Sequence, residues 1–295
     1  MAPIDLAALN GMTQADFVEA LVGVFENAPW VAEAAAGARP FASLSAMFAA
    51  FGDAVRKAEP ERILGLIRNH PDLAGKAARA GALSPESTAE QAGAGLDRLS
   101  EAEYATFHRL NDAYRAKFGI PFIICVRRHT KDSILRQFER RLKNDMAAEL
   151  ETAVVEIMRI AALRLDQQVA GPGRLKVHGR LSTHVLDTHL GRPAEGVEVE
   201  LVELAAAGAP RRIACVTTNA DGRTDRPLID GRPVPIGHYE LRFDVGGYFA
   251  RRAVPMPDPP FLDIVPVRFG VAEPEASYHV PLLVTPWSFA SYRGS

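Results

Sequence analysis

The sequence predicts two domains of different class, an all-α domain followed by an all-β sandwich. The chain has 295 residues, which is long for one domain and suited to two. Apolar residues recur at helical spacing in the first half, but beyond residue 168 they alternate with polar residues as in half-buried strands. Between these patterns lies Val169-Ala-Gly-Pro-Gly, a cluster of helix-breaking residues typical of a linker. We therefore expect a helical domain over 1–168, a linker over 169–173 and a β domain over 174–295.

Capping signals and apolar spacing support the helices. Thr13 precedes Gln-Ala-Asp-Phe and Ser100 precedes Glu-Ala-Glu-Tyr, and both patterns are typical of a capping box. Two later segments carry apolar residues three and four positions apart: Leu135, Phe138 and Leu142, then Leu150, Val154, Ile157 and Ala161. The segment 120–126 is predicted to be extended, because Pro121 keeps it out of a helix.

A polar segment, His70-Pro-Asp, interrupts the helical pattern. The residue before a proline avoids helical geometry, so we expect His70 to end a helix that begins near Pro60. Its imidazole would then lie beside the negative end of that helix, where the protonated form is favoured.

Polar residues also cluster on a later helix. Ser84 and Pro85 predict an N-cap and a first turn, after which Ser87, Glu90 and Gln91 share one helix face. Alone, such a face is ordinarily solvated surface. Arg164 falls on or close to the apolar stripe of the last helix, where a cation must snorkel, find a partner or bind an anionic ligand.

In the second half the apolar period is two. Leu181 and Val185 alternate with Arg180 and His184, and the same pattern recurs in two further stretches, 197–201 and 239–245. Short strands separated by Gly, Pro and Asp turns predict an antiparallel sandwich.

Composition excludes several classes of protein. A net charge of -2 with interspersed acids and bases argues against a nucleic-acid or membrane surface, and no apolar run is long enough to span a membrane.

The N-terminus lacks the pattern of a secretory signal. The two cysteines, Cys125 and Cys215, are predicted to be buried in different domains, which indicates a reducing, cytoplasmic compartment. Histidine and cysteine spacings predict no metal site, and no cofactor is expected.

Three ordered segments of the second half carry candidate chemistry: Leu181-Ser-Thr-His-Val-Leu-Asp-Thr, Thr218-Asn-Ala-Asp-Gly-Arg-Thr and the chain end Ser291-Tyr-Arg-Gly-Ser. Together they resemble the transthyretin-like 5-hydroxyisourate hydrolases of urate breakdown. The resemblance implies a transthyretin-like sandwich and a homotetramer assembled through the β domain, with a site that the tail completes at a subunit interface. It also implies the site residues: catalytic His184, Arg223, His279 and Ser295, with Tyr292 and Arg293 binding substrate.

Opening the lactam of 5-hydroxyisourate requires a positioned water, a base and a donor for the developing oxyanion. His184 and His279 are expected to hold and deprotonate the water, and Arg223 to bind the oxygen that gains charge. The alternative is a ligand carrier, since transthyretin shares the fold. A carrier channel should be apolar and has no need of paired imidazoles.

Segments of the first half carry a second resemblance. His70-Pro-Asp-Leu-Ala-Gly is followed by Ser87-Thr-Ala-Glu-Gln, then by Phe118-Gly-Ile-Pro-Phe-Ile-Ile-Cys and Ala162-Leu-Arg-Leu. From about residue 5 to residue 167 the chain resembles 2-oxo-4-hydroxy-4-carboxy-5-ureidoimidazoline (OHCU) decarboxylase, which forms (S)-allantoin. The resemblance implies these site residues: catalytic His70 and Glu90, with Pro71, Ser87, Gln91, Phe122, Ile124 and Arg164 binding substrate.

The substrate itself explains why no cofactor is expected, because its conjugated ring can hold the electrons that departing CO₂ leaves behind. His70 would position the reacting group, Glu90 and Gln91 would grip substrate N–H groups, and Arg164 would bind an anionic oxygen. The alternative for this half is an inactive helical dimerisation module. The two resemblances belong to consecutive steps of one pathway, so the sequence predicts a bifunctional enzyme without nucleic-acid or membrane partners.

Overall fold

The computed structural model describes residues 2–74, 83–206 and 209–294. The chain divides into two compact units, Met1–Val177 and His178–Ser295. The first is helical and the second is β-rich, which confirms the predicted fold class. Among the described residues, no helix combines the length and the apolar character needed to cross a membrane.

The first unit is built from helices that pack around one apolar core. The helices described there are α1 (Leu6–Gly11), α2 (Gln14–Ala20), α3 (Trp30–Ala35), α4 (Leu44–Arg56), α5 (Pro60–Arg68), α6 (Pro85–Gly93), α7 (Glu101–Phe118), α8 (Lys131–Arg141) and α9 (Met146–Gln168). Short 3₁₀ turns occupy Ala36–Ala38 and Val126–Arg128. The core is rich in aromatic rings, among them the fully buried Phe17, Phe51, Phe107, Tyr114 and Phe138.

Side-chain caps form where the sequence predicts them. The hydroxyls of Thr13 and Ser84 each accept a backbone N–H from three residues further on, at the starts of α2 and α6. At the start of α7, Glu103 N–H donates to the Ser100 hydroxyl at 3.3 Å, and the Glu103 carboxylate accepts the Ser100 N–H at 2.8 Å. Each cap contributes about 1 kcal/mol to the stability of its helix.

The segment after α9 stays with the helical unit. Strand β2 (Val169–Ala170) pairs in parallel with β1 (Ile4–Asp5). The carbonyl of Pro172 accepts the Leu44 N–H at 2.9 Å, and the carbonyl of Gly173 accepts the Ser45 N–H at 3.2 Å. The stretch that the sequence predicts as a linker is therefore hydrogen-bonded along its length to the first unit.

The second unit is a sandwich of two sheets. Its strands are β3 (Gly179–Asp187), β4 (Arg192–Pro193), β5 (Glu198–Leu204), β6 (Arg211–Thr217), β7 (Ile229–Arg232), β8 (Gly237–Asp244), β9 (Ile264–Val271), β10 (Ser277–Val284) and β11 (Phe289–Ser291). One sheet has the order β11-β10-β3-β4 with β7 also paired to β3, and the other has the order β6-β5-β8-β9. Alternate residues of β3, β5 and β8 are buried, as the period of two predicts.

One strand pair differs from the predicted antiparallel pattern. β3 and β10 run parallel, because the chain crosses to the other sheet and back before β10 begins. The register places His279 opposite Ser182 and Pro281 opposite His184. This pairing brings two separate segments of the sequence to one place on the sheet.

A helix in the second unit was not predicted. The alternation over 239–245 predicts a strand throughout, but Val245 begins helix α10 (Val245–Arg251). The carboxylate of Asp244 caps this helix by accepting the Gly247 N–H at 2.9 Å. A Cβ at Gly247 would lie 2.2 Å from Asp244 Oδ2, so the close cap depends on glycine there.

The two cysteines differ in their surroundings. Cys125 is buried in the helical unit as predicted, but Cys215 is exposed, so that prediction was wrong. Cys215 lies on β6, an edge strand whose outer face is open to solvent.

Candidate active sites

A pocket in the helical unit gathers residues from separate chain segments. Its walls combine apolar side chains with a few ionisable and hydrogen-bonding groups, as is typical of a small-molecule site. Its lining comprises His70, Pro71, Leu73, Ser87, Glu90, Gln91, Phe122, Ile123, Ile124, Val126, Ile160 and Arg164. All eight residues that the sequence proposes for the decarboxylase site are in this lining.

His70 follows α5, as its place before Pro71 predicts, and is only 7% exposed. Its Nδ1 lies 2.9 Å from the carbonyl oxygen of Leu66, which can only accept, so Nδ1 carries the proton of the neutral ring. Burial lowers the pKa of His70 below its ordinary value and outweighs the opposing effect of the Leu66 carbonyl. The expected protonated form is therefore wrong: the imidazole is neutral near pH 7, with its lone pair on Nε2.

Arg164 is 4% exposed and makes five hydrogen bonds, as many as a guanidinium has N–H groups. Nε and Nη2 donate to the two carboxylate oxygens of Glu90, both at 2.9 Å. Nη2 also donates to the Ser87 hydroxyl at 3.3 Å, while Nη1 donates to Glu26 at 3.0 Å and to the Gly23 carbonyl at 3.2 Å. The buried cation thus finds protein partners and does not snorkel.

Glu26 is a second buried carboxylate at this site, and the sequence analysis missed it. Its Oε2 accepts from Arg164 Nη1 at 3.0 Å and from the Ser87 hydroxyl at 3.1 Å. Burial raises the pKa of Glu26, but hydrogen bonds from Ser84 and Arg164, with the charge of Arg164, lower it more. The net effect is a pKa below the ordinary value, so Glu26 is ionised near pH 7.

Side-chain amides hold the segment after His70 in place. The amide oxygen of Gln91 accepts the Ala74 N–H at 2.9 Å, and Asn111 Nδ2 donates to the Leu73 carbonyl at 2.8 Å. The last residues of the predicted motif fall in 75–82, outside the described residues.

The segment 120–125, which leads into the 3₁₀ turn at Val126–Arg128, forms another wall of the pocket and is held from behind. Arg141 Nη1 donates to the Ile123 carbonyl at 2.6 Å, and Glu156 accepts the Cys125 N–H at 2.9 Å. Arg141 and Glu156 are both buried, so these bonds are shielded from water. They fix the backbone on either side of Ile124.

In the β unit, His184 on β3 and His279 on β10 face one another with ring centroids 6.5 Å apart. Arg223 forms an isolated antiparallel bridge with His184, so the turn that carries it returns to this strand. His184 Nε2 is buried and has no hydrogen-bond partner among the described residues. This nitrogen is therefore left to pair with a group other than those described in the chain.

Both imidazoles are held in the neutral form. Burial lowers the pKa of His184 and of His279, and the positive charge of Arg223 lowers each pKa further. A hydrogen bond to the Asp221 backbone opposes this at His184 without reversing it. Two neutral imidazoles beside a cation form a suitable arrangement for removing a proton from water.

The chain end packs against His279. β11 pairs with β10, and the Gly294 N–H donates to the His279 carbonyl at 2.8 Å. The guanidinium of Arg293 lies 4.9 Å from the centroid of the Tyr278 ring. A Cβ on Gly294 would lie 2.7 Å from His279 Cδ2, so the tail touches the edge of the imidazole.

One proposed tail residue is exposed, and another falls outside the described part of the chain. Tyr292 is 59% exposed, so its phenol faces solvent in the single chain. Ser295 lies outside the described residues.

Ser182 is a second residue that the sequence analysis missed. Its hydroxyl lies 3.0 Å from His279 Nδ1, which leaves Nε2 as the free nitrogen of that ring. The sequence could have indicated this residue. Ser182 lies two residues before His184, so both side chains are on the same face of β3. Glu26 had no comparable signal, since it lies between α2 and α3.

Among the described residues, Glu198, Glu200 and Cys215 bring possible metal ligands within 4.8 Å of one another. Glu200 is already paired with Arg212 at 3.1 Å, and the group lies on the outer face of the β5–β6 pair. Exposed acidic groups of this kind are common without an ion.

Comparison with known proteins assigns a family to each unit. The family model described as OHCU decarboxylase matches residues 10–166, and the model described as HIUase/Transthyretin family matches residues 181–294. The two matches follow one another in the chain and leave only short segments uncovered.

Individual relatives agree with this division. A 5-hydroxyisourate hydrolase 2 of Rhizobium meliloti is 51% identical over 117 residues, which are 40% of this chain and 97% of that protein. An OHCU decarboxylase of Haloferax volcanii is 40% identical over 168 residues, which are 57% of this chain and 98% of that protein. A crystal structure of (S)-allantoin synthase is similar along 99% of this chain and 100% of its own, with 33% identity and a TM-score of 0.53.

Proposed function

This chain belongs to the OHCU decarboxylase family and to the HIUase/transthyretin family, and we propose which residues carry out the two steps of urate degradation that these families catalyse. It is a bifunctional enzyme. The β unit hydrolyses 5-hydroxyisourate to OHCU, and the helical unit decarboxylates OHCU to (S)-allantoin. The observation that carries this conclusion is the likeness to both enzymes in consecutive parts of one chain, together with a likeness to (S)-allantoin synthase along its whole length.

Hydrolysis is proposed to take place between His184 and His279. A water held by the two neutral imidazoles gives up a proton to one of them and attacks the lactam carbonyl. Arg223 binds the carbonyl oxygen as it becomes negative. The C–N bond then breaks, and the proton passes to the leaving nitrogen. The His184 Nε2 atom, which has no hydrogen-bond partner within the described part of the chain, supports this role.

Binding by the tail completes this proposed site. Tyr292, Arg293 and Ser295 are assigned to the substrate ring. The contact of Gly294 with His279 supports a position of the tail beside the reacting groups.

Decarboxylation is proposed to take place in the pocket of the helical unit. The neutral His70 accepts a hydrogen bond through Nε2 and so positions the hydroxyl group of the substrate. CO₂ leaves as the C–C electrons enter the conjugated ring, and a proton is then added to the same carbon. Glu90 and Gln91 hold substrate N–H groups, and the walls near Phe122 and Ile124 enclose the ring.

Arg164 contributes to the same pocket, but its five N–H groups are all engaged in the free protein. It contacts a substrate oxygen only when one of those protein contacts is released. Glu90 and Ser87, which line the pocket with it, are the partners that a substrate is able to displace.

Assembly into a homotetramer through the β unit is proposed as well. The transthyretin-like fold supports oligomerisation, and β9 and β11 are edge strands of their sheets. Large apolar side chains are exposed on or near these edges, namely Phe261, Ile264, Trp287, Phe289 and Tyr292. A second copy would cover them and bring the exposed Tyr292 into a protein environment. A cytoplasmic location remains a prediction from cysteine usage.

The carrier alternative has less support. A carrier of an apolar ligand has no need of two imidazoles and a guanidinium at its site. The lining of the helical pocket likewise contains the predicted His70 and Glu90, which a dimerisation module does not require.

Freshly prepared 5-hydroxyisourate mixed with the purified chain tests the proposal. We expect its absorbance to decay rapidly, followed by the circular dichroism of one allantoin enantiomer. Rapid decay with racemic allantoin would contradict the decarboxylase assignment, and decay at the spontaneous rate would contradict the hydrolase assignment.

A further inference from the structure

The buried cation of the decarboxylase pocket is held by two carboxylates that occupy different positions. Glu90 lines the pocket and takes two of the N–H groups of Arg164. Glu26 takes another, and it is not among the residues that line the pocket. One carboxylate thus faces the substrate, while the other lies behind the cation.

The charges of this cluster do not cancel. Glu26 and Glu90 together carry two negative charges against one on Arg164, and His70 is neutral. If Glu90 were the sole counter-ion, moving it toward a substrate would leave a buried guanidinium unpaired, which is strongly unfavourable. With Glu26 in place, Arg164 keeps a charged partner while Glu90 turns to substrate N–H groups.

Glu26 also orients a second pocket residue. The Ser87 hydroxyl donates to Glu26 at 3.1 Å and accepts from Arg164 Nη2 at 3.3 Å. A hydroxyl has one proton, and the Ser87 hydroxyl donates it to Glu26. That proton is therefore directed away from the pocket. Glu26 therefore links the first turn of α6 to α9 through two side chains that do line the pocket.

From this geometry we infer that Glu26 is a positioning residue of the decarboxylase: it holds Arg164 and Ser87 in place so that Glu90 is free to engage the substrate. The inference rests on the proposed decarboxylase function. It assigns to Glu26 no contact with substrate, and its effect is transmitted through Arg164 and Ser87.

Glu26→Gln in the full chain is the direct test, because glutamine keeps the size and an acceptor oxygen but removes the charge. We expect kcat for decarboxylation of supplied OHCU to fall at least about tenfold, because Glu90 then remains paired with Arg164. Hydrolysis of 5-hydroxyisourate by the same preparation should be unchanged and reports that the chain is intact. Glu19→Gln, the same charge change at an exposed position on α2, should leave both activities unchanged.

The dependence of the decarboxylation rate on pH distinguishes a positioning role of Glu26 from a role in folding alone. The negative charge of Glu26 raises the pKa of His70, so removing it lowers that pKa further. Since the neutral His70 is the active form, the acid limb of decarboxylation should move to lower pH in Glu26→Gln. Glu26→Asp keeps the charge but is one methylene shorter, so its kcat should fall while the acid limb stays in place.

The possible outcomes are distinct. Glu26→Gln with wild-type kcat and pH profile would overturn the inference, and so would an equal loss in both variants with no movement of the acid limb. If Glu26→Gln does not fold, Glu26→Asp decides: a wild-type kcat overturns the inference, and a reduced kcat with an unmoved limb supports it. A wild-type chain that fails to decarboxylate OHCU would instead contradict the proposed function itself.

Discussion

Gly294 packs against the imidazole of His279, and Gly294→Ala should disturb that ring directly. The added Cβ would lie 2.7 Å from His279 Cδ2, 3.2 Å from its Cβ and 3.3 Å from its Cγ. Ordinary contact begins at 3.4 Å, so the ring and the tail must separate by 3.4 − 2.7 = 0.7 Å. The Gly294 N–H bond to the His279 carbonyl involves only backbone and is able to persist.

Such a displacement is large for a catalytic group. A misplacement of about 1 Å can cost on the order of a hundredfold in rate, so we expect kcat for hydrolysis to fall by about 10- to 100-fold. The loss should appear in kcat more than in KM, because the ring moves while the substrate contacts of the tail remain. The decay of 5-hydroxyisourate absorbance measures hydrolysis, and decarboxylation of supplied OHCU should be unchanged.

Gly11→Ala is the matched control. It is exposed in α1 of the helical unit, and its added Cβ would meet no described atom within 4 Å. We expect it to retain wild-type hydrolysis. If Gly294→Ala is as active as Gly11→Ala, the tail does not position His279 and the reasoning is refuted.

Three further results are expected for hydrolysis. Ser182→Ala removes the hydrogen bond at His279 Nδ1 and should lower kcat by about tenfold with little change in KM, and an unchanged kcat would show that the hydroxyl does not orient the ring. Arg223→Gln removes a charge that lowers the pKa of His184 and of His279, so both pKa values should rise. Since the neutral rings are active, the acid limb of its rate–pH profile should move to higher pH, and an unmoved limb would contradict the assigned roles. A chain ending at Ser291 should stay folded but lose hydrolysis, and full activity would contradict the role of the tail.

Local signals predicted much of the fold. The cap at Ser100 and the break at Pro71 are encoded within a few residues, and both appear in the structure as expected. The helix that begins at Val245 was missed because the apolar period of β8 continues into it, and the cap that ends the strand involves a single side chain. Cys215 was misplaced because it lies on the outer face of β6, between Ala214 and Val216, which pack against the core of the unit.

The candidate sites show the same limit. The family resemblance implied eight of the residues that line the helical pocket, but the sequence gave no sign of the carboxylate of Glu26, which reaches Arg164 across 138 residues of sequence. The predicted ionisation state of His70 was wrong because the prediction considered the negative end of the helix but not burial. Burial has the larger effect on the pKa of His70. Contacts between residues that are distant in sequence, and the burial of each ionisable group, depend on the folded structure. Local sequence patterns therefore do not predict them.

The most direct test of two separate active sites compares His70→Ala with His279→Ala in the full chain. Absorbance and circular dichroism are followed together after addition of 5-hydroxyisourate. We predict that His70→Ala consumes 5-hydroxyisourate at the wild-type rate but forms allantoin slowly and as a racemate. His279→Ala should slow the first step by roughly a hundredfold, yet convert supplied OHCU to (S)-allantoin normally. Loss of hydrolysis in His70→Ala, or of decarboxylation of supplied OHCU in His279→Ala, would contradict the account.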